Sequence, residues 1–283
     1  VTIGIIFATR KEKETIVVEP IVNEQLDTEE EPLQETFVED TSKDEELKVE
    51  RVSPQVFYDV RITDATVNPT DLVAFENNIA VIDKKSGKIF VSPVDTATFE
   101  QKGTLFPGIS SAKNYEEKLH FYDTEGYKIY NLETSQIEKT LALDNVDITF
   151  PYAGFFYAIK QDRLVKFTEG GDSVTESLWG QNSKFTNAKD MTIAFSIYIL
   201  TEDNKLANFS GGSETDFEIN SIDFKNAEKV IANIDFDNIY ILDKGSRSIV
   251  IIDEEGNLVK QFKNKEPRSE ERRVGKECRS RWS

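Results

Sequence analysis

One strand pattern returns five times along this chain, and that recurrence leaves few architectures open. The copies read IAVID at 79–83, LHFYD at 119–123, FYAIK at 156–160, IYILT at 197–201 and IYILD at 239–243. Their starts are 40, 37, 41 and 42 residues apart. Each copy runs into a tight turn: KKSGK from Lys84, TEGYK from Thr124, QDR from Gln161, EDNK from Glu202 and KGSRS from Lys244. Gly, Asn and Asp in such turns supply the positive φ that short hairpins need. A second strand follows each turn, beginning at Ile89, Ile129, Leu164, Leu206 and Ile249. A third often follows, as at 136–143 and 257–262, and a further strand precedes each anchor, as at 71–75 and 229–232. Four antiparallel strands at a period near 40 predict the blades of a β-propeller. One blade buries only part of its apolar surface, so blades must stack face to face. A sandwich of regular hairpins would explain the strand spacing. It would not explain five returns of an apolar strand with a polar closing residue. The expected fold class is all-β.

The strands from 71 to 262 make five blades. The preceding run QVFYDVRI at 55–62 alternates but has no inner strands of its own. It is expected to be the outer strand of a sixth blade whose other three strands would follow Phe262. Six blades are favoured, with seven as the alternative. The incomplete propeller is assigned to 51–267, and an open ring of this kind exposes blade edges that invite aggregation.

The last sixteen residues, RSEERRVGKECRSRWS at 268–283, match the in-frame translation of a sequencing adaptor and are set aside as non-native. Cys278, the sole cysteine, goes with them, so disulfides and thiolate metal sites are excluded from the rest. Six of those residues are basic and three acidic, so without them the net charge moves from −18 to −21. Such a negative surface repels phosphate backbones, which argues against nucleic acid as a partner. The first residue is Val1, and the whole reads as an open reading frame cut at both ends.

Residues 1–9, VTIGIIFAT, are too few to cross a bilayer, which takes about 20. They are expected to be the end of a truncated transmembrane helix, with Arg10, Lys11 and Lys13 at the headgroups. Those cations alone favour a cytoplasmic exit, but the rule compares two flanks and one is missing. The expectation taken is a bacterial membrane protein with the propeller on the extracytoplasmic side. Residues 10–50 hold the acidic runs EEEP and DEE, with Phe37 the sole aromatic. High like charge with few apolar residues predicts a disordered, extended linker.

The run NIYILDKGSRSIVIIDEEGNLVKQF at 238–262 resembles the repeat of NHL-type six-bladed propellers. Asp243, Gly256 and the strand 249–252 match that repeat, while Arg247-Ser248 stands where the family usually has Asn-Arg. The other four blades match more loosely. The order of apolar segment, charged linker and propeller looks like the C-terminal half of membrane-anchored proteins of candidate-phylum bacteria. Some of those carry a PPM-type phosphatase domain before the membrane span. The resemblance carries no catalytic residue onto this chain.

Candidate chemistry is sparse. His120 is the sole histidine, so a histidine-based metal site is excluded, a Cys-His pair goes with the cysteine set aside, and no Ser-His-Asp triad is expected. The acidic turns DKKSGK, DTEGYK and DEEGN lack the alternating ligands and late Glu of an EF-hand. Some six-bladed hydrolases hold a channel metal through Glu, Asn and Asp. Asp71, Asp147, Asp190 and Glu228 lie near the starts of inner strands, where such ligands would sit. The pairs Gly170-Gly171 and Gly211-Gly212 match no phosphate-cradling pattern. Tyr152, Phe155 and Trp179 could line a ligand surface, although propeller aromatics mostly pack between blades. No catalytic, cofactor-binding or metal residue is assigned, and no cofactor is expected. The expected function is a non-enzymatic module that binds a protein, peptide or glycan at a propeller face. The alternatives are a hydrolase or lactonase with a channel metal, and a regulatory domain of a longer membrane protein.

Overall fold

The computed structural model describes residues 41–265, apart from Glu76, 105–107, Glu117, 171–172 and Ser221. It is an all-β arrangement of five blades. Blade 1 comprises β2 (Asp71–Phe75), β3 (Asn78–Asp83), β4 (Lys88–Pro93) and β5 (Glu100–Thr104). Blade 2 comprises β6 (Ser111–Tyr115), β7 (Lys118–Asp123), β8 (Gly126–Asn131) and β9 (Gln136–Leu141). Blade 3 comprises β10 (Ile148–Tyr152), β11 (Phe155–Lys160), β12 (Arg163–Gly170) and β13 (Ser173–Gln181). Blade 4 comprises β14 (Ala188–Ile193), β15 (Ile197–Thr201), β16 (Leu206–Ser210) and β17 (Ser213–Glu214). Blade 5 comprises β18 (Ala227–Ile231), β19 (Ile239–Asp243), β20 (Ser248–Ile252) and β21 (Leu258–Asn264). Within each blade the strands pair antiparallel in chain order. The recurring pattern is the second strand of every blade.

Its alternation places one set of side chains against the blade before and the other against the blade after. Ala80, Ile82, Ile89 and Val91 of blade 1 meet Ala112, Leu119 and Phe121 of blade 2. Tyr127 of blade 2 packs with Phe156, Val165 and Phe167 of blade 3. Ile159 and Leu164 of blade 3 meet Met191, Ile199 and Phe209 of blade 4. Leu200 and Leu206 of blade 4 meet Val230, Ile241 and Val250 of blade 5. The polar residue closing the second strand shapes the turn that follows. Asp83 accepts N–H bonds from Lys85 and Ser86, and Asp243 accepts one from Gly245. Both carboxylates also reach backward, to the N–H of Asn68 and to those of Lys225 and Asn226. Burial pushes both carboxyls up, but these hydrogen bonds outweigh it and hold them below the usual range.

Two expectations change at the start of the domain. Residues 55–59 form no strand, and 60–62 form a 3₁₀ turn, η1 (Val60–Ile62), capped by Asp59. Asp59 accepts from the Arg61 backbone N–H at 3.1 Å and from its guanidinium at 2.8 and 2.6 Å, which favours a turn over an extended run. The segment instead lays Phe57, Tyr58 and Val60, with Val67, on Val81, Phe90 and Phe99 of blade 1. The strand that joins a blade is β1 (Val49–Val52), which straddles the boundary at residue 50 between the assigned linker and the assigned propeller. It pairs parallel with β21, Val49 opposite Gln261. Lys48 donates to Leu258 O at 2.6 Å, Gln261 donates to Leu47 O at 3.0 Å, and Arg51 pairs with Asp44 at 2.5 Å. These bonds order 41–52 despite their acidity. Residues 1–40 and 266–283 lie outside the described residues, and with them the expected helix end, most of the linker and the adaptor-like tail. Among the described residues no helix is long and apolar enough to cross a membrane.

Candidate binding groove and axial channel

The first strands of the blades line the axis, and their polar residues form a network there. Asp71 and Asp190 occupy equivalent positions on β2 and β14, opposite Ile82 and Leu200 respectively. In blade 5 the same position holds Lys229, opposite Leu242. Lys113 of blade 2 crosses to Asp190 of blade 4, Nζ to Oδ1 at 2.8 Å, and its Nζ lies 5.5 Å from the ring centre of Phe150 on the intervening blade. Lys84 holds Asp71 at 2.8 Å, and Lys229 approaches the same carboxylate at 3.4 Å. Burial pushes the Asp71 carboxyl up, but Lys229, Lys84 and Lys113 outweigh it and bring it below the usual value. Burial likewise lowers Lys229, and the charges of Asp190 and Asp71 reverse the sign and raise it. Asp190 also accepts the N–H of Val230 at 3.0 Å, which ties blade 4 to blade 5.

Asp71 and Asp190 are thus brought to one axis, but lysines neutralise them. Asp147 and Glu228 stand apart from that pairing. Asp147 accepts from the Gln161 N–H, and Glu228 pairs with Lys244 at 3.3 Å and accepts from Asn226. Among the described residues no group of three or more His, Cys, Asp or Glu is placed to hold a metal. The lysines were missed in the sequence. The missed signal was a sign change at one register position: the first strands carry Asp71, Asp190 and Lys229 at equivalent places.

His120 is buried between blades 2 and 3. Its Nδ1 lies 2.7 Å from the Tyr127 hydroxyl, while its Nε2 is buried without a partner. Burial, helped by the charge of Lys118, brings its pKa down to about 4. Tyr127 in turn stacks on Phe156 at 4.2 Å, so this pair belongs to an interface between blades. Tyr152, Phe155 and Trp179 are half-buried against the core shared by blades 3 and 4. Gly211 and Gly212 form the turn into β17 with φ of +57° and +86°, and Gly212 lies so close to Trp179 O that no side chain fits.

A groove of about 600 Å³ opens between blades 1 and 2, beside the β2–β3 and β6–β7 turns. Phe75, Val91 and Leu132 give it an apolar floor. Thr98, Glu116 and Glu133 are among the polar groups at its rim.

No family model matches the chain, and no curated protein does. Two of the solved structures that resemble it reach a TM-score of 0.50 or more. One is a calcium-binding protein, regucalcin, from Agrobacterium tumefaciens, with a TM-score of 0.51 at 11% identity over 69% of this chain and 74% of that one. The other is a structural-genomics protein of unknown function from Bacteroides thetaiotaomicron, with a TM-score of 0.50 at 14% identity over 65% and 58%. At these identities the likeness establishes the propeller fold alone.

Proposed function

We propose that this chain is a non-enzymatic binding module whose ligand, a peptide or glycan, lies in the groove between blades 1 and 2. The observation that carries this reading is the state of the axis. A channel-metal hydrolase needs free carboxylates converging there, whereas Asp71 and Asp190 are each held by a lysine. The groove offers what a small polar polymer needs: an apolar floor, a polar rim and a rigid sheet frame. In this reading the N-terminal segment tethers the module to a bacterial membrane, with the propeller outside the cytoplasm.

Two measurements on the full chain test it. Peptide and glycan arrays should give ligands whose binding is lost on Thr98→Arg or Glu133→Arg, two exposed changes that leave the melting temperature alone. Melting in calcium and in chelator should coincide, and lactones should not be turned over. A calcium-dependent rise in melting temperature together with lactone hydrolysis would overturn the binding reading in favour of a channel-metal hydrolase.

A further inference from the structure

Each of blades 1 to 4 buries its trailing face on the next blade, but among the described residues no blade covers that of blade 5. The register shows the equivalence. Leu200 pairs with Leu206 in blade 4 as Leu242 pairs with Ile249 in blade 5. Leu200 is 0% exposed, whereas Leu242 is 42% exposed and Ile231 beside it 55%. Tyr240 and Phe262 continue this face, and the exposed Ile234 and Phe236 lie in the loop that borders it. The other end of the stack differs. The leading face of blade 1 is covered by residues within 57–67, and Ile62 of that segment and Val56 just before it are exposed. Six of the nine large apolar residues exposed among the described residues therefore flank one seam. Monomeric proteins rarely leave such a patch bare.

We propose that the trailing face of blade 5 is the seat of a sixth four-stranded blade of the same ring. Three observations support that occupant over others. First, the face continues a series of four established interfaces and carries the same kinds of residue at the same register. Second, the seam has room for one blade. Lys113 and Asp190 join blades with one blade between them, and Lys229 reaches Asp71 across the seam in the same way. Third, a second copy of the chain is disfavoured by its charge of −18. The incoming blade would present apolar residues from its inner strands, as Leu119 and Phe121, Ala158 and Val165, Ile199 and Ala207, and Ile241 and Val250 do at the existing interfaces. This inference is independent of the groove and stands or falls separately from it.

The test uses Ile231→Lys with Leu242→Lys. In the full chain the double variant should stay folded, shift the melting temperature by no more than about 2 °C, and bind less of a hydrophobic dye than the parent. A large loss of stability would show that the chain's own residues outside 41–265 already cover the face. A parent dimer that the variant dissociates would show a second copy. Either result overturns the proposal. A second chain repeats 105–141, blade 2 with its incoming loop, after Lys265. It should lose dye binding and melt higher, and the two lysines should now destabilise it. An unchanged melting temperature with dye binding retained would also overturn the proposal.

Discussion

Lys113 and Asp190 lie 77 residues apart and join blade 2 to blade 4 across the axis at 2.8 Å. Both are largely buried, and the lysine passes beside Phe150 on the blade between them. The pair is thus a long-range tie between two blades that are not neighbours.

Lys113→Met should cost about 3 kcal/mol, because it removes the direct ion-pair partner of a buried carboxylate and leaves it the Val230 N–H and the nearby charge of Lys229. Asp190→Asn in the same chain should recover much of that loss, since the amide oxygen still accepts from Val230 and no charge stays unpaired. Urea unfolding of the single and double variants measures both.

The pH dependence should carry the signature of His120. Its folded pKa of about 4 lies below the ordinary value of 6.5, so the unfolded chain takes up the proton first as pH falls. Its effect is absent above pH 6.5, grows between 6.5 and 4, and is constant below that. The loss should reach about 2 kcal/mol by pH 5. The lowered carboxyls of Asp71, Asp83 and Asp243 act further down, since their protection fades only as pH falls through and below 3.8. Unfolding free energies at pH 7 and pH 5 should therefore differ in the parent and nearly coincide in His120→Gln.

The repeat was legible because its signal is local. The alternation in IAVID or IYILD states which side chains face which neighbour, and the turn residues after it fix the hairpin. The polar closing residue was also visible, although its bonds to two separate stretches of backbone were not. The run QVFYDVRI misled because alternation does not report whether a partner strand is in reach, and the Asp59–Arg61 pairing favours a turn there. β1 was hidden for the opposite reason: VERV at 49–52 sits in an acidic stretch, and its partner lies 212 residues away. The axial network was half legible. The acids Asp71 and Asp190 stood out as candidates, but Lys113 and Lys229 reach them from other blades, and no spacing in one chain reports such a meeting.

Lys128 is a second buried cation, 1% exposed, with Nζ at 2.7 and 2.6 Å from the two oxygens of Asp123 and 2.9 Å from Glu125. Here the partner is five residues away, across one hairpin. Lys128→Met alone should cost about 3–5 kcal/mol, while Lys128→Met with Asp123→Asn should cost much less. A double-mutant cycle read by thermal unfolding gives the coupling. A coupling near zero would show that the pair sits in water and contributes nothing.

The same hairpin tests how closely two strands of one blade approach. Gly126 has φ of +132°, and a Cβ there would lie 2.3 Å from Leu141 O, a backbone atom on β9 that cannot move without disturbing the sheet. Gly154, in the turn between β10 and β11, also has positive φ, +75°, but a Cβ there would meet nothing within 4 Å. The two positions separate conformational strain from collision. Gly154→Ala should cost about 1 kcal/mol, the penalty for an L-residue in left-handed backbone. Gly126→Ala carries that kind of penalty and the clash as well, so it should cost at least about 3 kcal/mol. Thermal unfolding of the two variants side by side measures the difference. Equal losses would mean that β8 and β9 can separate at this turn without consequence.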